Sequence, residues 1–297
     1  MVLNVALTLT PDHEECTYLA KLHATPRDAF ITFDEKPHKY AIRGDQTGIK
    51  SCTEFIHLFY KPFNSKEIAA TCAEDQTNPE YVGKTAIEIL VIWKLGQDLG
   101  SEMHYQIERN LNGLPYTLPE FAYCAEIEMY INFSLDNGHL RIWRTEMRIY
   151  DEELRIAGSI DAIYEDLEHP GYFYIVDWKR ANKIWFEGFC TCRSIDGKKK
   201  HGLGRDLKPT TCTRFAPHPV TSDLDDCNYI HYSMQLMLYR YILEKNYGMK
   251  FTGQSLVVLH PHQRNYLKIE GKQLPGTLAK MLEYRREMLR NPDWELS

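Results

Sequence analysis

The sequence predicts a mixed α/β (α+β) fold, a central mixed β-sheet flanked by helices. Two observations carry that expectation. Stretches of helical period over residues 84–136 give way to three successive strand-like runs over 139–178, and then to a helix, two further strands and a closing helix. The chain of 297 residues, 43% hydrophobic and 26% charged, has an ordinary globular composition, which sets aside disordered and collagen-like classes.

The elements follow in order. Phe30–Phe33 and Lys39–Ile42 flank a turn-rich Asp-Glu-Lys-Pro-His and read as a hairpin. Ser51-Cys-Thr-Glu54 has capping-box spacing and opens a short helix through Tyr60, closed by Pro62. Residues 84–111 form a long helix stopped by Gly113, and a second helix spans 119–136 with Asn137-Gly138 as its exit. The period then changes. His139–Tyr150, Leu154–Glu165 and Tyr172–Trp178 are rich in Ile, Tyr, Val and Trp, with turn residues at 151–153 and 169–171 between them. Residues 183–228 are irregular. A helix from about Ile230 to Tyr247, ended by Gly248, precedes strands at Gln254–His260 and Asn265–Ile269 and a helix at Leu274–Leu289. The organisation is an N-terminal section, 1–83, and a core, 84–297, packed as one compact domain.

No run of eighteen apolar residues suggests a spanning helix, and no membrane partner is expected. The N-terminus lacks the basic region of a secretory signal, and the eight cysteines are scattered, so an intracellular, reducing compartment (cytoplasm or nucleus, or a viral setting) is expected. Net charge is −6, yet residues 183–215 carry eight Lys/Arg against three acids. That is either a solvated loop or the local basic footprint of a nucleic-acid site.

The chemistry centres on Gly158-Ser-Ile-Asp161, fifteen intervening residues, and Asp177-Trp178-Lys179. Two acids at the ends of adjacent antiparallel strands can meet across a sheet, and Asp177 and Lys179, two apart, share a face. Two carboxylates and an amine are the parts that metal-assisted phosphodiester hydrolysis needs. Hard oxygens bind Mg²⁺ or Mn²⁺, and a lysine orients water or stabilises developing charge. Ile175 and Val176 before Asp177, and Ile156, Ala157 and Ile160 before Asp161, set these acids in apolar strands, a costly placement without a metal or a partner.

Four ordered motifs give the chain a resemblance. They are Leu99-Gly-Ser-Glu-Met-His104-Tyr-Gln-Ile-Glu108, Arg144-Thr-Glu146, Gly158–Asp161 with Asp177–Lys179, and Gln235-Leu-Met-Leu-Tyr239. From about residue 85 to 260, the sequence resembles the RecB-like, lambda-exonuclease-like branch of the PD-(D/E)xK nucleases, which carries a QxxxY motif and includes mitochondrial genome maintenance exonucleases. The resemblance implies a restriction-endonuclease-like core and a metal-dependent deoxyribonuclease of replication, repair or recombination, acting on single-stranded DNA or free duplex ends. Asp161 and Asp177 would bind Mg²⁺ or Mn²⁺ with the Trp178 backbone carbonyl and His104. Lys179 would be catalytic, and Glu146 would sit near the metal or position the attacking water. Gln235 and Tyr239 would brace the site or the DNA. Lys198, Lys199 and Lys200 are candidates for phosphate contact, and Trp185, Phe186 or Phe189 for base stacking.

The alternatives at this point are a structure-specific or nicking endonuclease, a non-catalytic DNA-binding subunit, and a metal-free core. On the bland reading, His104 bonds Glu108, Glu146 pairs with Arg144 or Arg148, and Tyr239 is an ordinary core ring. No cysteine follows Cys227, so the iron–sulfur cluster of some relatives is not expected. Cys190-Thr-Cys192, with Cys212 and Cys227 further on, lacks usual zinc spacing, so zinc is not expected either.

Overall fold

The computed structural model describes residues 16–75, 78–188 and 214–291. In chain order its elements are α1 (Tyr18–Leu22), β1 (Ile31–Asp34), β2 (Lys39–Ile42), β3 (Lys50–Ser51), α2 (Cys52–His57), α3 (Ser65–Glu74) and α4 (Ala86–Leu111). There follow α5 (Ala125–Asp136), β4 (Leu140–Asp151), β5 (Ile156–Asp166), β6 (Phe173–Lys179), α6 (Asn228–Tyr247), β7 (Phe251–Val258), β8 (Leu267–Glu270) and α7 (Pro275–Arg290). The expected mixed sheet flanked by helices is present.

The main sheet has six strands. β5 pairs β4 antiparallel along one edge. Its other edge is shared: β3 pairs it in parallel at residues 156–157, and β6 pairs it antiparallel at residues 162–165. β7 continues the sheet parallel to β6, and β8 closes it antiparallel. β1 and β2 form a separate hairpin.

Both faces of the sheet are buried. Ile163, Ile175 and Leu256 pack in one cluster with Phe55 of α2, Met234 and Leu238 of α6 and Met281 of α7. Ala162, Val176, Trp178 and Val257 pack in another with Met103 and Ile107 of α4 and Phe133 of α5. Trp178, 1% exposed, meets the Phe133 ring edge-on at 5.3 Å. Two helical layers around a sheet explain why the central strands are apolar on consecutive residues rather than alternating.

Local chemistry sets the boundaries. Ser51 and Glu54 make the expected reciprocal cap on α2, with Glu54 N–H donating to Ser51 Oγ at 3.1 Å and Ser51 N–H to Glu54 Oε2 at 2.7 Å. α6 ends at Gly248 with φ 68°, the left-handed exit that glycine adopts without strain. The run expected as one helix over 119–136 is two elements. Pro119–Tyr123 is a 3-10 turn, and Cys124 is extended (φ −81°, ψ 150°) as the N-cap of α5. Glu126 and Glu128 in the next turn suit a helix N-terminus there. α3 was not foreseen, although Asn64 caps it by accepting from Glu67 N–H at 3.3 Å.

Candidate metal centre

The geometry of the site follows from strand register. The last β5–β6 pair is Ala162 with Val176, and one step further Asp161 stands opposite Asp177. On the other edge of β5, Thr145 pairs Ala162 and Met147 pairs Ile160, so Glu146 stands opposite Asp161. Opposed residues of antiparallel strands share a face. Glu146, Asp161 and Asp177 are therefore one row of carboxylates across three strands. The row sits where β6 has left β5 and β3 has not yet joined it, a gap at residues 158–161 that leaves strand ends open to a ligand.

Each member is held. Trp178 N–H donates to Asp161 Oδ2 at 2.8 Å. Ser159 Oγ donates to Glu146 Oε2 at 2.8 Å. Glu146 has φ 42°, a left-handed conformation uncommon for a non-glycine residue. Such a conformation costs about 1–3 kcal/mol and persists only where its surroundings enforce it. His104 reaches the row from α4, its Nδ1 3.5 Å from Asp161 Oδ2. Ligand atoms of His104, Glu146 and Asp161 all lie within 4.8 Å of one another. Ligands on one divalent ion at about 2.0–2.6 Å are separated by no more than roughly 5 Å, so one ion can reach all three. Lys179 Nζ lies 2.6 Å from Asp177 Oδ2 and 4.8 Å from the centre of the Tyr232 ring.

The electrostatics show what the donor set lacks. Burial, then repulsion from Asp161 and Glu108, lifts Glu146 to about 8. Burial raises Asp161 against the pull of Lys179. Asp177 rises to about 6, burial outweighing the attraction of Lys179. Burial, then the Lys179 charge, lowers His104 to about 4, offset in part by Asp177 and a hydrogen bond with the Trp178 backbone. Burial opposes the Lys179 charge, but Asp177 and Asp161 outweigh it and raise its pKa. Three acids thus share a single ammonium and a neutral imidazole. A hard divalent cation would relieve that imbalance.

Gln235 and Tyr239 sit one turn apart on α6, with Gln235 Nε2 donating to Tyr239 Oη at 2.7 Å and to Thr53 Oγ1 at 3.4 Å. The buried Tyr239 ring presses on β5. A Cβ at Gly158 would stand 2.9 Å from Tyr239 Cε1 and 2.8 Å from Cys52 Sγ. Gly158 is therefore the contact that lets α2 and α6 close on the strand bearing Asp161. Of the two bland partners for Glu146, Arg144 is engaged elsewhere, its Nη1 binding Asp28 Oδ2 at 2.7 Å.

Trp185 is 56% exposed and carries Lys183 Nζ 3.6 Å from its ring centre, while Phe186 stacks beside Tyr229. Lys198, Lys199, Lys200, Phe189, Cys190, Cys192 and Cys212 lie outside the described residues. Among the described residues, Cys16, Cys52, Cys72, Cys124 and Cys227 are free thiols, and His104, Glu146 and Asp161 are the one cluster with metal-ligand spacing. No described helix is long and apolar enough to cross a membrane. Sequence reasoning passed over Ser159 and Tyr232. Ser159 was legible from its place two residues before Asp161, and Tyr232 from its helical spacing to Gln235 and Tyr239.

No protein-family model matches the sequence, and no curated protein matches it. Solved structures with a similar course include SSO0001, at 16% identity and TM-score 0.32, over 83% of this chain and 79% of that one. Another is a candidate exonuclease from Eubacterium rectale, at 11% identity and TM-score 0.31, over 82% of this chain and 79% of that one. At this degree of likeness neither protein's activity transfers to this chain.

Proposed function

We propose that the protein is a metal-dependent deoxyribonuclease that works from free ends of single-stranded DNA or duplexes. The observation that carries the reading is the row Glu146–Asp161–Asp177, with Lys179 at one end and His104 above it. His104, Glu146 and Asp161 would hold Mg²⁺ or Mn²⁺, with Asp177 and the Trp178 carbonyl beside them. When bound, the ion supplies Lewis-acid polarisation of a phosphoryl oxygen and acidifies water.

The chain's own residues supply the rest. Lys179, 2.6 Å from Asp177, would donate to and stabilise the developing phosphoryl charge. Glu146, held by Ser159 through Oε2, would hold the ion or orient the attacking water. Tyr239 and Gln235 fix the strand that carries Asp161.

Access supports the need for an end. The Asp177 and Asp161 side chains are only 2% and 14% exposed. A strand fed in by its end reaches such a recess more readily than the middle of a duplex. Linear and covalently closed circular single strands, at equal nucleotide concentration with Mg²⁺ or Mn²⁺, decide the matter. Linear strands are degraded and circles spared. Circles cut at the same rate make the protein an endonuclease.

A further inference from the structure

A cleft of about 890 Å³ opens beside the metal centre, between the first half of α4 and the ends of β6 and β7. Its size lies toward the top of the range for ligand sites, roughly 300–1,000 Å³. β6 and β7 are parallel, and the residues just past their C-terminal ends line it: Arg180 and Asn182 after β6, His260 and His262 after β7. In α/β sheets that edge is where ligands bind.

One face of α4 leads from the cleft to the site. Trp93, Gln97, Gly100 and His104 recur at helical spacing, so they lie in line over about 16 Å. Two glycines interrupt this helix, each at a cost to its stability. Packing does not require Gly96, since a Cβ there would meet nothing within 4 Å, and one at Gly100 would make ordinary contact with Arg180 at 3.8 Å. Glycines without a packing need, on the wall of a cleft, leave room for something else.

The lining suits a strand of nucleotides. Phe63, 70% exposed, lies 6.0 Å from the Trp93 ring, which Tyr81 Oη anchors through a 2.9 Å hydrogen bond. Arg180 and Lys94 are cations of the lining, and Glu80 is the lone acid among the described lining residues. Both cations already pair, Arg180 with Glu126 at 2.8 Å and Lys94 with Asp98. His260 Nδ1 accepts from His262 N–H at 3.3 Å, so a neutral His260 carries its hydrogen on Nε2 as a donor. Aromatic faces interleaved with cations and donors are how single strands are held without sequence preference.

We propose that this cleft is the track on which a single strand of DNA lies as it enters the metal centre, a base stacking at Phe63 and Trp93 and phosphates facing Arg180, His260 and His262. The identity of the polymer rests on the nuclease reading, and the track itself on the cleft. The test is the anisotropy of a short fluorescent oligothymidylate with Ca²⁺ in place of Mg²⁺ or Mn²⁺, on the full chain. Gly96→Trp fills the cleft, and Phe63→Ala and His262→Ala remove exposed contacts. Each variant weakens oligonucleotide binding, Phe63→Ala by about tenfold, the contribution of stacking one base. Mn²⁺ binding by calorimetry and the thermal midpoint stay at the parent's values for Phe63→Ala and His262→Ala, which replace surface groups and keep the test open even if Gly96→Trp fails to fold. Parent-like oligonucleotide affinity in the folded variants overturns the track and leaves the nuclease reading standing. A parent that binds the oligonucleotide in a Phe63-dependent way but never cleaves it with Mn²⁺ overturns the nuclease reading and keeps the track.

Discussion

Glu146→Gln is expected to stabilise the metal-free protein while weakening its response to metal. In the folded chain Glu146 is lifted from 4.5 to about 8 by burial and by Asp161 and Glu108. A folded value above the unfolded one means that the group's contribution is full below about pH 4.5 and is lost as pH rises toward 8. Each unit of difference corresponds to about 1.4 kcal/mol. The acid shares its proton with Asp161, and local relaxation reduces the effect, so the net at pH 7 is on the order of 2 kcal/mol. Glutamine keeps the acceptor for Ser159 and carries no charge to desolvate. Its midpoint without metal should rise by roughly 4 °C at pH 7, a gain that shrinks toward pH 4.5. Added Mn²⁺ should narrow the gap. The parent gains about 2.7 kcal/mol at a hundredfold excess over Kd, and the variant gains less because a ligand is gone. Thermal unfolding in EDTA and in Mn²⁺, from pH 5 to 8, measures all of this. A variant no more stable than the parent in EDTA, with an equal Mn²⁺ shift, would refute both the strained acid and its role as a ligand.

Lys179→Ala abolishes cleavage, and because it strands the buried Asp177 carboxylate it also lowers stability in EDTA by about 3–5 kcal/mol; cleavage at the parent's rate removes Lys179 from the mechanism. His104→Ala raises the Mn²⁺ concentration needed for half-maximal activity, whereas a fall in thermal midpoint with unchanged metal dependence would make His104 a packing residue. Gly158→Ala sets a methyl 2.8 Å from Cys52 Sγ and 2.9 Å from Tyr239 Cε1, so it destabilises by about 1–3 kcal/mol in a urea titration. A neutral Gly158→Ala would mean that Tyr239 does not press on β5.

Most of the fold was legible because its signals are local. The change from helical to strand period near residue 139, the Ser51–Glu54 cap and the Gly248 stop each sit within a few residues, and each falls within a few residues of its expected place. What local signals do not carry is the break at Cys124, where the apolar run continues but the backbone extends. The two-residue strand β3 is likewise too short for any period, and only its pairing with β5 defines it.

The site divides in the same way. Asp177 and Lys179 on one face needed nothing but a period of two. The meeting of Glu146, Asp161 and Asp177 depends on the registers of β4–β5 and β5–β6, which no single segment encodes. Gly158 shows how the two scales join. In the sequence it is merely the first residue of Gly158-Ser-Ile-Asp161, yet in the fold its missing side chain admits Cys52 from α2 and Tyr239 from α6. The glycine, the tyrosine of QxxxY and the aspartate are therefore one mechanical unit: the helix contact fixes the strand, and the middle of β5 carries the acid into the gap between β3 and β6. Replacing the glycine or the tyrosine loosens the placement of Asp161, which explains in physical terms why motifs some 80 residues apart converge on one centre.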